Sequence, residues 1–139
     1  MRFSVRFAKQ HDFENVAGGD QSISAQLLAY KLANEEIVLA EMNRELIGYL
    51  RLEHLWGKSP YIGLIIVRPD CQKQGVGRGM LQFLEDRLRS KGQSALYSSS
   101  QVNEKEPQEW HRRMGFRECG IISGINEGDV GELFFVKAL

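Results

Sequence analysis

Two adjoining stretches, YIGLIIV at residues 61–67 and RPDCQKQGVGRG at residues 68–79, decide the fold. The first is apolar on both faces of an extended chain, which predicts a central strand covered on both sides. Arg68-Pro69 stops it. A polar, glycine-rich loop over residues 70–79 then opens a helix predicted to run to about Lys91. Val76, Met80, Leu81, Leu84 and Leu88 recur at helical spacing, and Gly92 is its stop signal.

Gly75, Gly77 and Gly79 allow backbone amides to approach an anion closely. The helix start adds a partial positive charge, and Lys73 and Arg78 add full ones. This is the composition of a pyrophosphate cradle. A P-loop is excluded, because no Gly-Lys-Ser/Thr closes the loop. A dinucleotide fingerprint fits poorly: Met80 stands where its third glycine belongs, and seven residues, 68–74, separate strand from first glycine. On the glycines alone, a turn that merely starts a helix is an equal reading.

Outward from this segment, Phe3, Val5 and Phe7 alternate as a first strand. Gly18-Gly19-Asp20 breaks the chain, and Asp20 or Ser22 is the expected cap of a helix carrying Ile23, Leu27 and Tyr30 on one face. Residues 37–42 and 46–55 read as a hairpin around Asn43-Arg44, and residues 57–60 as a turn. Downstream come a strand over 94–99, a helix over 104–114 with Pro107 in its first turn, and an antiparallel pair, 116–125 and 132–137. The fold class is α/β (α+β mixed): a central mixed, mostly antiparallel sheet of about seven strands with helices on both faces, in a single domain over residues 1–139.

Lysine plus arginine and aspartate plus glutamate number 18 each, which argues against nucleic-acid binding by bulk phosphate neutralisation. Cys71 and Cys119 form no CxxC pair and stand near no histidine cluster, so neither a disulfide scaffold nor a metal site is expected. No apolar run reaches the length of a membrane span, and the N-terminus lacks a leader's apolar core. The expectation is a cytoplasmic protein with no membrane partner.

Gln72-Lys73-Gln74-Gly75-Val76-Gly77 resembles the Q/R-x-x-G-x-G/A motif of the GNAT superfamily of N-acetyltransferases, and it stands after a Val-x-Pro strand end as in that family. Residues 110–116, WHRRMGF, resemble the family's aromatic-Tyr-x-x-x-Gly-Phe segment, and Asn103 lies where many members carry an asparagine. With the order of elements, the resemblance covers nearly the whole chain.

The resemblance implies an N-acetyltransferase that moves an acetyl group directly from acetyl-CoA to a primary amine of a small molecule or peptide. It implies the CoA pyrophosphate on Gln72, Lys73, Gln74, Gly75, Val76, Gly77 and Arg78, and the pantetheine arm along Ile65, Ile66 and Val67, with Asn103 beside the cofactor. A backbone N–H of that strand would hold the oxyanion. Cys71 is then an ordinary loop thiol, and Trp110 a packing residue. His111 stands where many relatives have the tyrosine that protonates the leaving thiolate. Acid, hydrogen-bond partner of the sulfur and helix-surface residue are its three readings. Ser98 stands where some relatives carry a glutamate base, so the resemblance leaves Glu53 and His54 on the third strand, or a water chain to solvent, as candidates for the base. The acceptor site is implied at residues 18–36 and 121–130, and a homodimer is implied as well. The alternative is a non-catalytic acyl-CoA-binding sensor.

Overall fold

A computed structural model describes residues 2–139. Seven strands, β1 (Ser4–Phe7), β2 (Ile37–Met42), β3 (Glu45–Leu55), β4 (Ser59–Val67), β5 (Ala95–Gln101), β6 (Arg117–Asn126) and β7 (Val130–Ala138), form one sheet in the order β1-β2-β3-β4-β5-β7-β6. Four helices, α1 (Phe13–Gly19), α2 (Ala25–Ala33), α3 (Val76–Ser90) and α4 (Lys105–Arg113), complete the fold, as the α/β reading expects. Two compact units are resolved: Met1–Leu52 with Leu64–Leu84, and Glu53–Gly63 with Glu85–Leu139.

In the first unit β1, β2 and β3 pair antiparallel. Asn43 and Arg44, both at positive φ, make the tight turn that matches the twist of β2 and β3. The core gathers Val16, Leu28, Leu32, Ile37, Leu39 and Tyr49. Gly79 lets α3 pack close to the sheet, since a Cβ there would lie 2.8 Å from the Phe3 ring. That glycine serves packing.

The first helical region departs from expectation in three ways. A separate short helix, α1, precedes Asp20. Helix α2 is capped by Ser24, whose hydroxyl accepts from Leu27 N at 3.2 Å, and Asp20 and Ser22 are engaged elsewhere. Its buried face is Leu28, Lys31 and Leu32, while Leu27 and Tyr30 are exposed. Lys31 is tolerated in the core because its ammonium donates to Leu52 O at 2.6 Å and to Glu36 at 3.1 Å.

In the second unit β4 and β5 are parallel, with one register pair, Tyr61↔Tyr97. Strand β7 pairs antiparallel with β5 from Glu132 to Ala138 and with β6 on its other side. The β6 ladder is interrupted between Glu118 and Gly120 and between Ile122 and Asn126. Ile121, Ile122 and Ile125 on this edge strand are exposed.

Strand β4 corrects a further expectation. Pro60 lies inside it and is buried, not part of the turn. Instead of being covered on both sides, Gly63, Leu64, Ile65 and Val67 are half-buried and Ile66 is 45% exposed.

Candidate active site

In the first unit, β4 runs out through Val67 into the glycine loop. The Arg68 amide donates to Ile47 O at 2.8 Å, which pins the strand end. A short 3-10 turn, Pro69–Cys71, follows, and Cys71 is buried as its plug. Lys73 and Gly75 both take positive φ, 60° and 86°. Only glycine adopts the latter at little cost. Gln72, Lys73, Gln74 and Gly75 are exposed, and a Cβ at Gly75 would meet nothing within 4 Å. The Gln72 side chain donates back to Val67 O at 3.1 Å, which shapes the loop from within.

Val76, buried, anchors the start of α3, while Gly77 and Arg78 follow in its first turn. First-turn amides have no acceptor inside their own helix. The loop therefore presents backbone donors and a helix dipole, and Lys73 and Arg78, both exposed, add cations within and just after it. Arg68 is engaged by Asp70 at 2.7 Å and Glu45 at 2.9 Å, so its charge is largely compensated. Beside the strand end lies a cleft of about 430 Å³, walled by Val16, Leu46, Tyr49, Ile66, Val67 and Pro69. Of Ile65, Ile66 and Val67, expected beside a cofactor arm, Ile66 and Val67 wall this cleft and Ile65 does not.

The same unit holds a network that sequence reading missed. Asp20, buried at the end of α1, accepts from Tyr49 Oη at 2.6 Å, from Ser22 Oγ at 2.7 Å and from the Arg51 guanidinium. Burial pushes its carboxyl up, but these donors outweigh it and hold the pKa at about 2. The loop between α1 and α2 is tied to β3 through this carboxylate. Charged residues 31 positions apart in sequence gave no local pattern from which to find it.

The second unit carries His111, Glu53 and Asn103. His111 is buried, not on the helix surface. Its Nδ1 lies 2.7 Å from Pro107 O, which can only accept, so Nδ1 carries the proton. Nε2, 2.7 Å from Ser98 Oγ, then accepts the serine hydroxyl in the neutral ring. The ring lies parallel to Phe135 at 4.5 Å. Burial lowers its pKa below the usual histidine value, against opposing help from Pro107 O and the Glu132 charge. The Met-Gly-Phe signature beside it is a helix stop. Gly115 sits at φ 94°, and the Phe116 amide donates to His111 O at 2.9 Å.

Glu53 lies over the backbone of β4. A Cβ at Gly63 would fall 2.5 Å from Glu53 Cγ and 3.0 Å from its Oε2. Asn103 is exposed in the turn after β5, which Gln108 Nε2 braces by donating to Gln101 O and Val102 O at 3.1 and 3.0 Å. His54 is exposed.

The family profile described as acetyltransferase (GNAT) family matches residues 6–116. A probable N-acetyltransferase 14 of Danio rerio is 27% identical over 94 residues, and the match covers 66% of this chain and 33% of that protein. The chain thus spans about a third of that relative's length. The ribosomal-protein-S18-alanine N-acetyltransferase of Escherichia coli superposes with TM-score 0.80 at 18% identity, covering 99% of this chain and 94% of that one. A chain of the NatC complex bound to Gag peptide and CoA superposes with TM-score 0.82 at 14% identity, covering 100% and 99%.

Proposed function

Since the chain belongs to the acetyltransferase (GNAT) family, we propose that it transfers an acetyl group from acetyl-CoA directly to a primary amine of a peptide or small molecule. The observation that carries this reading is the exposed loop of Gln72–Arg78 at the start of α3, with Lys73 and Gly75 at positive φ. Its amides and two cations fit a pyrophosphate. The half-bare apolar backbone of Ile65, Ile66 and Val67 fits the pantetheine arm, and an N–H of that stretch would receive the oxyanion. Glu53, laid over Gly63, favours a cationic acceptor. A peptide amine is supported by fold neighbours whose descriptions name a ribosomal-protein alanine and a bound peptide.

For His111 the geometry favours a positioning role over that of acid. Ser98 occupies Nε2, and burial disfavours the imidazolium an acid would need. This same feature favours a second reading, an acyl-CoA-binding module without turnover. The exposed isoleucines of β6 support a homodimer, which light scattering would check.

Calorimetric titration of acetyl-CoA into the wild type and Gly77→Trp tests the loop. Binding is expected in the wild type and strong loss in a folded Gly77→Trp, whose indole fills the cradle. Absence of binding of any CoA species by the wild type would remove the transferase reading. Binding with no thiol release on any amine would leave the sensor.

A further inference from the structure

We propose that the cleft between α1, the start of β3 and the end of β4 receives an apolar side chain of the acceptor amine, and that Gly19 sets how large that side chain can be. The inference rests on the transferase reading above and names the acceptor class which that reading leaves open: an amine that carries an uncharged hydrocarbon group beside its nitrogen.

The whole cleft belongs to the first unit. Its two strands are tied where the Arg68 amide donates to Ile47 O at 2.8 Å. Helix α1 supplies the third wall with Asn15, Val16 and Gly19, which share one helix side at spacings of three and four. The cleft opens on the face of β3 opposite α3. Gly48 faces α3, since a Cβ there would fall 2.9 Å from Met80 Cε. Tyr49, next along the strand, points the other way and joins Val16 and Leu28 in the core. The glycine loop leads into α3. Phosphates seated on that loop lie toward α3, which leaves the α1 face of the strand end to the acceptor.

The walls decide the chemistry. Val16, Leu46, Ile47, Ile66, Val67 and Pro69 are hydrocarbon. The polar side chains of the lining are already occupied or neutral. Tyr49 Oη donates to Asp20 at 2.6 Å, and burial and that carboxylate push its phenol up, so it keeps its proton. Arg68 is held by Asp70 at 2.7 Å and Glu45 at 2.9 Å, and Asn15 carries no charge. A side-chain ammonium or carboxylate placed here would lose water beside charges that are already paired. A hydrocarbon group gains by leaving water. The volume of about 430 Å³ lies near the lower end of small-ligand cavities, roughly 300–1,000 Å³, and suits one side chain better than a partner's helix.

Gly19 is the gate. It is exposed, its φ is not positive, and a Cβ there would meet no atom within 4 Å beyond its own helix. Neither packing nor backbone conformation demands glycine, and a side chain at this point of the wall would enter the cleft. The next residue, Asp20, is bound by Ser22, Tyr49 and Arg51, which fixes the end of α1 against β3 and with it the width of the opening. Gly18 is equally open but is not part of the wall.

The test measures thiol release from acetyl-CoA with free-amine tetrapeptides alike but for a first residue of Ala, Leu, Phe, Lys or Glu, and with hexylamine and spermidine. Proteins are the wild type, Gly19→Trp, Gly19→Leu and Gly18→Trp, with folding checked by circular dichroism and acetyl-CoA affinity by calorimetry. The wild type is expected to prefer the Leu over the Ala peptide by about 60-fold in kcat/KM, three carbons at about fourfold each, the equivalent of ~0.8 kcal/mol per buried carbon. It disfavours the Lys and Glu peptides and prefers hexylamine to spermidine. Gly19→Trp and Gly19→Leu, through a higher acceptor KM, cut the Leu-to-Ala ratio to below about fivefold, with acetyl-CoA affinity unchanged. Gly18→Trp, the same bulk one residue outside the wall, keeps the ratio. Wild-type rates indifferent to the first residue, or highest for Lys or Glu, would overturn the pocket while leaving the transferase intact. So would an unchanged ratio in both Gly19 variants. Loss of acetyl-CoA affinity in the Gly19 variants would put the cofactor in the cleft and overturn the pocket as well. A wild type that binds acetyl-CoA but acetylates none of these amines would overturn both readings.

Discussion

Replacing His111 by phenylalanine separates its structural work from any chemical work. The phenyl ring keeps the parallel contact with Phe135 seen at 4.5 Å and fills nearly the same volume. It removes two hydrogen bonds, one to Ser98 Oγ and one to Pro107 O. Ser98 is 1% exposed, so its hydroxyl is stranded away from water, at a cost of about 1–3 kcal/mol. Pro107 is half-buried and recovers part of its loss from solvent. The sum is about 2–4 kcal/mol, a large share of the ~5–15 kcal/mol that holds a domain folded. Urea denaturation followed by circular dichroism reads it as a lower midpoint with unchanged slope. Adding Ser98→Ala removes the stranded hydroxyl and is expected to restore about 1–2 kcal/mol, so the pair couples in a double-mutant cycle. A His111→Phe protein with the wild-type midpoint but a transferase rate lowered 100-fold or more would refute this reasoning and reinstate the acid.

Other expectations follow from the same geometry. His111 has a folded pKa below its unfolded value of about 6.5, so its contribution to stability is full above pH 6.5 and is lost as pH falls. Unfolding midpoints from pH 8 to 5 should show that slope in the wild type and lose it in His111→Phe. Asp20→Ala removes the buried carboxylate that Arg51, Tyr49 and Ser22 share and is expected to cost about 3–5 kcal/mol by urea denaturation. With its carboxyl held at about 2, Asp20 contributes stability above its unfolded pKa near 4 that is lost as pH falls toward 2. Acid titration of the wild type against Asp20→Asn should isolate that limb. Gly115→Ala forces a Cβ onto a residue at φ 94° and within 3.3 Å of Lys137 Cε, an expected loss of about 1–2 kcal/mol in thermal unfolding.

The elements most legible in the sequence were those with dense local signals. Val76, Met80, Leu81, Leu84 and Leu88 announced α3 by spacing, and all five are buried. Asn43-Arg44 announced its hairpin by turn chemistry. The glycine loop was visible because glycines and cations are contiguous there. What escaped was set by partners distant in sequence. Leu27 and Tyr30 lost the inward face of α2 to Leu28 and Leu32, because a polar Lys31 finds acceptors across 21 residues at Leu52. Ser99 is hydrogen-bonded to Tyr61 at 2.6 Å and to Glu132 at 2.6 Å through strand order alone, and nothing near Ser99 in sequence marks these bonds.

The broken ladder of β6 bears on what this rim can pair with. A straight rim strand with bare isoleucines would accept another strand, and that one a third, in an open series that ends in fibres. Interruptions beyond Glu118 and beyond Ile122 put its N–H and C=O groups out of step with any regular newcomer. The apolar side chains still offer a patch, but the backbone offers no template. Strand-by-strand extension from this rim is thereby disfavoured.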